Sequence, residues 1–216
     1  MKIDFHVHTK YSIDSLIEPR DLARRSKLLN LIPSVSDHNT IDCHPIMRSL
    51  KARFIPSEEI STDHGDLIGL YMNEAVPKKT PFMEALDSIK EQGAIAYLPH
   101  MFDRSRKGHV PEKDAIKKID IIEVFNARCA LDSYNMKAER FAQENKKLKA
   151  AGSDSHFLFE FGRTYTELPE FDLENPKALL KALKSAKLTT KKTAFIVRGT
   201  TTFIALGRKL IRKLNF

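Results

Sequence analysis

Two histidines near the start of the chain are the first residues whose type and spacing could do chemistry. His6 and His8 alternate with apolar residues in the run MKIDFHVHTKYSID. This alternation predicts a strand, in which residues two apart point to the same face. The two imidazoles would project together as neutral ligands suited to zinc, iron, manganese or nickel, and Asp14 adds a carboxylate just past the strand end. An amphipathic edge strand with two solvated histidines would show the same short pattern.

More ligand-type residues follow the other predicted strands. They are Asp37 and His38 after LIPSVS, Glu58 and Glu59 after FIPS, His100 after AIAYLP, and Asp154 and His156 after LKAAGS. One hydrogen bond within a core can satisfy a single buried histidine, but it does not explain five strand ends that finish in His, Asp or Glu. Mixed imidazole and carboxylate ligands are typical of zinc, iron and manganese sites.

The elements that must position these residues alternate along the chain. Apolar runs predicted as strands are separated by amphipathic runs predicted as helices about six or seven times, which indicates βαβ units and a parallel sheet. In this interpretation residues 53–56 form a strand that ends before Glu58 and Glu59, and residues 67–72 form the next strand. A (β/α) barrel collects all its strand ends at one face, whereas an open doubly wound sheet recruits fewer of them. We therefore expect an α/β barrel.

Composition bounds the class of protein. The 216 residues are 42% hydrophobic and 30% charged, which is ordinary for a soluble globular protein with a full core. No apolar run approaches the roughly 18 residues of a membrane-spanning helix, so no transmembrane segment is expected. The two cysteines, Cys43 and Cys129, are too few for a disulfide framework, and we expect a cytoplasmic protein with reduced thiols.

The net charge of +8 falls on the C-terminal segment. Residues 170–216 contain eleven Lys or Arg and three Asp or Glu, while residues 1–169 are balanced. We predict a barrel of residues 1–169 and a basic helical extension of residues 170–216 that packs on or beside it. Residues 203–216 have the pattern of a basic amphipathic helix, which most often packs with its charges in water. Contact with RNA or with a membrane surface is the alternative, and the basic tail permits nucleic acid as a partner.

Six segments, taken in order, resemble one known family. HVHTKYSIDS, VSDHNT, EEIST, LPH, IEVFNAR and GSDSH are similar to motifs of the PHP (polymerase and histidinol phosphatase) family of metal-dependent phosphoesterases. The resemblance runs from Lys2 to about Gly162. It implies a distorted seven-stranded TIM-like (β/α) barrel of PHP type, with two to three divalent metal ions (zinc, manganese or iron) at its C-terminal face.

The resemblance also implies a ligand set. One ion would be held by His6, His8, Glu59 and Asp154. Glu59 would bridge to a second ion that His100 also holds, and Asp14, His38 and His156 would surround a third.

The ligands of the second ion depart from the family pattern. Many members carry a histidine where this chain has Asp66, with His64 two residues earlier. The third protein ligand of that ion is therefore open between Asn126, Cys129 and water, and two ions rather than three remains an alternative.

The implied activity is hydrolysis of a phosphate ester, from a small phosphomonoester, a nucleotide or an oligonucleotide end. Water held between two ions loses its proton near neutral pH and attacks phosphorus, so no catalytic Ser or Cys is required. Arg104, Arg106 and Arg128 are candidate phosphate contacts because a guanidinium binds phosphate bidentately. Each of the three is equally well interpreted as a solvated loop residue.

Three rival functions are weighed against this one. Histidinol-phosphate phosphatases of the family tend to be longer chains with more loop material. An amidohydrolase also begins with an HxH strand in a barrel, but it usually needs a barrel lysine as a metal bridge. A non-catalytic PHP-like RNA-binding subunit would be expected to lose ligands, and this chain keeps nearly all of them.

Overall fold

The structure, a computed structural model, describes residues 1–106 and 108–214. Lys107 and the last two residues of the predicted C-terminal helix, Asn215 and Phe216, lie outside the described residues. The strands are β1 Lys2–Val7, β2 Ile32–His38, β3 Ile55–Thr62, β4 Gly65–Leu70, β5 Ile95–Leu98, β6 Ile121–Asn126, β7 Leu148–Gly152, β8 Tyr165–Glu167 and β9 Lys187–Thr189. The helices are α1 Pro19–Leu29, α2 Cys43–Ser49, α3 Phe82–Glu91, α4 Lys113–Lys118, α5 Asp132–Glu144, α6 Pro176–Ala182 and α7 Phe195–Leu214.

One sheet joins these nine strands in the order β7-β6-β5-β4-β3-β2-β1-β8-β9 among the described residues. The sheet curls until the segment after β7 reaches β1, where Val7 pairs in parallel with Ser155. Two backbone hydrogen bonds close this seam: His8 N donates to Ser155 O at 3.0 Å, and Asp154 N donates to His6 O at 2.7 Å. The sheet is therefore a nearly closed barrel, and the predicted distorted TIM-like (β/α) barrel is confirmed.

β3 and β4 depart from the predicted parallel arrangement. β3 runs through Thr62, so Glu58 and Glu59 lie inside the strand, and the prediction that they follow it is wrong. Only two residues separate β3 from Gly65, whose φ of 94° favours glycine. A connection this short can join only antiparallel neighbours, and β4 is antiparallel to both β3 and β5.

A bulge interrupts β1 at the level of His6, the first candidate ligand. The register between β1 and β2 shifts between Asp4 and Val7. The simple alternation expected from the sequence is therefore broken: Phe5 packs into one buried cluster with Tyr97, whereas Val7 packs into another with Leu22. Bulges next to functional sites re-aim side chains, and this one sets the direction of the residues at the end of β1.

Close backbone packing at the end of β7 requires Gly152. A Cβ at this position would lie 2.4 Å from His6 Cβ and 2.4 Å from Glu123 Oε1. Contacts this short do not occur between real side chains, so only glycine lets β7 approach β1 and β6 at the level of the ligands.

The C-terminal segment adds to the barrel at two places. Leu179, Ala182 and Leu183 of the α6 region pack into the buried cluster that contains Phe5, and β9 extends the sheet antiparallel to β8. The last helix, α7, begins at Phe195, earlier than the predicted residue 203. The domain boundary at residue 169 stays a prediction. In the described ranges, no helix has the length and apolar content needed to span a bilayer.

Candidate metal centre

Four predicted ligands converge at the C-terminal end of the barrel. His6 lies in β1 next to its last residue, His8 follows β1, Glu59 lies in β3 and Asp154 follows β7. All four side chains are fully buried. The two Nε2 atoms of the histidines are 3.0 Å apart, and each is 3.3 Å from Glu59 Oε2. Asp154 Oδ1 lies 3.3 Å from His8 Nε2 and 3.7 Å from His6 Nε2.

These separations match a metal coordination sphere. Four ligands at zinc bond lengths of about 2.0–2.1 Å in a tetrahedron are separated from one another by about 3.3 Å. The donors also fit in type, because two imidazole nitrogens and two carboxylate oxygens suit zinc, manganese and iron.

The hydrogen-bond partners of the histidines fix their tautomers. His6 Nδ1 lies 3.0 Å from the Glu123 carboxylate, so it carries the proton and donates it. His8 Nδ1 lies 3.1 Å from Ser12 Oγ, which already donates to Asp37, so His8 Nδ1 is also a donor. His156 Nδ1 donates to the Asp154 carbonyl at 2.8 Å. In each ring the Nε2 lone pair is therefore left facing the carboxylates, and such a group of acceptors needs cations to hold it together.

A second cluster shares Glu59. Its Oε1 atom lies 2.9 Å from His100 Nε2, and Asp66 joins these two residues with ligand atoms within 4.8 Å of one another. Sequence analysis noted Asp66 but did not include it among the ligands. The register of the β3–β4 hairpin brings Asp66 to the cluster. Ile68 pairs with Glu59, and Asp66 lies two residues from Ile68 on the same face of the sheet.

The two protein candidates named from the sequence for the third ligand of the second ion, Asn126 and Cys129, are not in this cluster. Asn126 Nδ2 donates to Asp154 Oδ2 at 3.0 Å and to Glu123 Oε2 at 2.9 Å, so it orients a ligand by hydrogen bonding. Cys129 is buried and belongs to no ligand cluster in the described part of the chain. Burial raises the pKa of the Cys129 thiol, which disfavours the thiolate that a metal would bind.

Asp14, His38 and His156 lie together beside the first cluster. Asp14 Oδ2 is 3.1 Å from His156 Nε2 and 3.7 Å from His38 Nε2. His38 Nδ1 is 2.9 Å from Glu59 Oε2, so Glu59 contacts all three groups. A set formed by His8, His38 and His156 also has its ligand atoms within 4.8 Å of one another.

Without ions, the cluster requires positive charge that its imidazoles cannot all supply. Burial disfavours the charged form of His6, but Asp154, Glu59 and Glu123 outweigh burial and hold the pKa of His6 well above its ordinary value. Burial and the neighbouring His156 and His38 lower the pKa of His8 to about 3. Neighbouring rings cannot all be protonated in one buried space, whereas two or more divalent ions would supply the charge directly.

Two buried carboxylates hold the ligand-bearing segments from behind. Glu123 Oε1 accepts from His6 Nδ1 and from Tyr97 OH at 3.1 Å, while Oε2 accepts from the His100 backbone N–H at 2.8 Å. Asp37 accepts from the Thr9 backbone N–H at 2.7 Å and from Ser12 Oγ at 2.7 Å. Asp37 therefore shapes the turn after β1, and Glu123 orients the ligands themselves.

Two of the eight described non-glycine residues with a positive φ are candidate ligands. His100 has a φ of 26° and Asp154 a φ of 53°, a region that L-residues other than Asn and Asp rarely adopt. Such conformations cost about 1–3 kcal/mol each and persist where surrounding contacts enforce them, as the bond from His100 N to Glu123 does here.

The three arginines predicted to bind phosphate occupy different environments. Arg106 reaches into the cluster and its Nη1 donates to Asp154 Oδ2. Arg104 is exposed in the turn Arg104–Arg106. Arg128 is buried, with Nη1 on Glu160 Oε1 at 2.8 Å, so its contact with phosphate stays a prediction.

A cavity of about 450 Å³ opens above the ligands. We call it the mouth cavity, and it is lined by Asp14, Arg106, Arg128, His156 and, from α7, Gly199 and Thr202. It connects Asp14 and His156 of the third ligand group with three guanidinium side chains, those of Arg106, Arg128 and Arg198, an arrangement suited to an anion.

Glu58 faces away from the site, although it adjoins the shared ligand. Its side chain is fully buried and its Oε2 accepts from the Val76 backbone N–H at 2.8 Å. Burial raises the pKa of Glu58 to about 7. The structure thus separates the two neighbouring carboxyls: Glu59 lies in the ligand cluster, and Glu58 does not.

The raised pKa of Glu58 predicts that its replacement increases the free energy of unfolding in a pH-dependent way. Between about pH 4.5 and 7 the native carboxyl holds a proton that the unfolded chain has released, so the free energy of unfolding falls as pH rises. Glu58→Gln removes this dependence. We expect the ion-free variant to exceed the parent protein by up to about 3 kcal/mol at pH 8 and to match it near pH 5.

Urea denaturation at both pH values measures this difference. Glu74→Gln, an exposed carboxyl nearby in the chain, is the matched control and should show no pH-dependent gain. An equal difference at pH 5 and pH 8 would contradict the burial argument.

The fold and the site together define a (β/α) barrel with a cluster of candidate metal ligands, and comparison with known proteins identifies its family. The chain is 37% identical over 187 residues to the uncharacterized protein MJ0417 of Methanocaldococcus jannaschii, covering 83% of this chain and 75% of that one. The uncharacterized protein MJ1587 of the same organism is 34% identical over 142 residues, or 59% of this chain and 82% of that protein. A family model described as PHP-associated matches residues 132–188. The chain belongs to the PHP family.

Solved structures agree with this fold. A two-domain protein from Bacteroides vulgatus, described as containing a predicted PHP-like metal-dependent phosphoesterase, is similar with a TM-score of 0.69 and 20% identity. The match covers 87% of this chain and 64% of that one, so the chain spans about two thirds of that protein. PsfC from Pseudomonas syringae matches with a TM-score of 0.63 and 16% identity over 100% of this chain and 99% of its own. An amidohydrolase from Chromobacterium violaceum matches with a TM-score of 0.58 and 12% identity, over 88% of this chain and 98% of its own.

Proposed function

We propose that this protein is a metal-dependent phosphoesterase that hydrolyses a small phosphomonoester, a nucleotide or an oligonucleotide end. The observation that carries the proposal is the shared carboxylate. Glu59 contacts His6 and His8 through Oε2 and His100 through Oε1, so it lies between two ligand clusters. A bridging carboxylate of this kind holds two ions at the short separation used in phosphoester hydrolysis.

The residues of the chain would form up to three ion sites. His6, His8, Glu59 and Asp154 would hold the first ion, and Glu59, Asp66 and His100 the second. Asp14, His38 and His156 would hold a third. Divalent ions bound there would activate water and neutralise phosphate oxygens.

The protein itself orients the phosphate and excludes solvent. The guanidinium of Arg106 donates to an anionic oxygen of Asp154, and a phosphate oxygen is an equivalent acceptor at the same edge of the cluster. Asp14 and His156 line the mouth cavity, and His6, His8, Glu59 and Asp154 are fully buried, which strengthens electrostatic contacts with the transferred group.

An amidohydrolase is the second candidate, since one structural neighbour carries that description. Enzymes of that class usually use a barrel lysine as a metal bridge. Among the described residues that are buried, the charged and polar side chains include no lysine. The carboxylate Glu59 takes the bridging position instead, which favours phosphoester chemistry.

Metal analysis paired with hydrolysis assays tests the proposal. Purified protein should contain two to three divalent ions per chain and hydrolyse p-nitrophenyl phosphate, bis-p-nitrophenyl phosphate or 3′,5′-bisphosphorylated nucleotides, with turnover lost on chelation and restored by manganese or zinc. The preferred ester separates monoester from diester chemistry. Tightly bound ions without turnover of any phosphate ester would overturn the phosphoesterase assignment.

A further inference from the structure

The C-terminal helix forms one wall of the space above the ligands. The mouth cavity has the ligand residues Asp14 and His156 on one side and Gly199 and Thr202 of α7 on the other. A compound bound at the ligands must therefore place its remaining atoms against α7. The barrel motifs do not include this helix, so the cavity depends on a segment outside them.

The first part of α7 is fixed to the loop after β6. Thr193 N donates to Ala127 O at 2.9 Å just before the helix begins. Arg198 Nη1 donates to Arg128 O at 3.3 Å and to Cys129 O. In the opposite direction, Arg128 Nη2 donates to Thr201 Oγ1 at 2.9 Å. These reciprocal bonds hold the helix against the loop that carries Arg128.

Further along, α7 is fixed to the loop after β1. Arg208 Nη1 donates to the carbonyls of Ser12 at 3.1 Å, Ile13 at 3.2 Å and Ser15 at 2.9 Å. This loop contains Asp14. Because Arg198 and Arg208 are ten residues apart, the helix spans about 15 Å between the two attachments and crosses the mouth of the barrel.

We propose that α7 limits the size of the substrate, so that the enzyme acts on small phosphomonoesters and rejects the ends of nucleic-acid strands. This inference rests on the proposed phosphoesterase function. A cavity of about 450 Å³ is at the small end of ligand pockets, which range over about 300–1,000 Å³. A polymer bound at Asp14 and His156 would have to extend past α7, which lines this cavity and is fixed at its two attachments.

The two glycines of α7 provide a matched pair of variants. A Cβ at either Gly199 or Gly207 would meet no atom within 4 Å, so both positions accept a side chain without a clash. Gly199 lines the mouth cavity and Gly207 does not. Leucine also favours helix more than glycine does, so neither substitution should unfold the helix.

Kinetics with a small and a larger ester test the proposal. For Gly199→Leu we expect kcat/KM for a nucleoside 5′-monophosphate to fall at least about tenfold, while that for phenyl phosphate changes less than about threefold. Gly207→Leu should leave both values unchanged. Arg208→Ala, which releases the second attachment, should raise turnover of a 5′-phosphorylated oligonucleotide relative to phenyl phosphate by about tenfold or more.

The outcomes separate this inference from the proposed function. Hydrolysis of phenyl phosphate with identical ester ratios in all three variants would overturn the role of α7 and leave the phosphoesterase intact. If the parent protein hydrolyses no ester, the proposed function fails. Calorimetric binding of phenyl phosphate and the nucleoside monophosphate to manganese-loaded protein then decides the size limit: selective loss of the larger compound in Gly199→Leu supports it, and equal binding or no binding overturns it.

Discussion

Glu59→Gln should reduce phosphoester hydrolysis at least about a thousandfold and lower the metal content by at least one ion per chain. Glu59 contacts His6 and His8 with one oxygen and His100 with the other. Glutamine keeps the size of the side chain but removes its charge and replaces one of the two oxygens with an NH₂ donor. Metal ions contribute several kcal/mol of transition-state stabilisation, and each 1.36 kcal/mol is tenfold in rate. Elemental analysis and steady-state kinetics measure the two losses.

Glu58→Gln is the matched control for this variant. It changes the same residue type one position away, but its side chain is buried on the opposite side of β3 against Val76. Metal content and activity should stay at the level of the parent protein. If both glutamine variants lost the ions equally, the loss would come from disturbance of β3, and Glu59 would not be the shared ligand.

Glu123→Gln should weaken metal binding by about 10- to 100-fold without removing a ligand, the usual effect of losing a group that orients metal-binding histidines. Glu123 accepts four hydrogen bonds, from His6, Tyr97, the His100 backbone and Asn126. A glutamine amide must point its NH₂ group at two of these donors whichever way it is turned. We also expect a loss of about 1–3 kcal/mol in the free energy of unfolding, since buried partners remain unsatisfied.

Competition with a chromophoric chelator measures the affinity, and urea denaturation of the ion-free protein measures the stability. Glu139→Gln is the control, because Glu139 pairs with Lys149 at the surface and is 46% exposed. A variant that is destabilised yet binds manganese or zinc as tightly as the parent protein would show that Glu123 supports the core alone.

The position of the ligands was predictable because it depends on a rule of the fold. Strands of a (β/α) barrel end at one face, so His6, His8, His100 and Asp154 could be placed together from strand ends alone. Strand ends alone do not place Asp66, because it reaches the site only through the antiparallel pairing of β3 and β4. The two-residue connection before Gly65 carried that signal, since so short a link joins only antiparallel neighbours.

The arginines show what the sequence could not supply. Arg106 and Arg128 both follow strand ends in basic or polar loops, and the local sequence does not distinguish them. Arg106 donates to Asp154, whereas Arg128 is held between Glu160 and Thr201 of a helix that begins more than sixty residues later. The partner of a loop arginine depends on contacts between distant segments, and a local sequence pattern does not predict those contacts.

The seam between β1 and the segment after β7 makes folding of this protein a non-local process. Ser153 N donates to Asp4 Oδ1, a bond between residues 149 positions apart, and the first strand also pairs with β8. During synthesis, β1 leaves the ribosome before the other strands of the sheet, and its second edge is covered only when residues beyond 150 have been made. Folding through such distant contacts is slow, and an uncovered edge invites misassembly. Asp154 belongs to the same late segment, so the candidate ligands come together only at the step that closes the barrel.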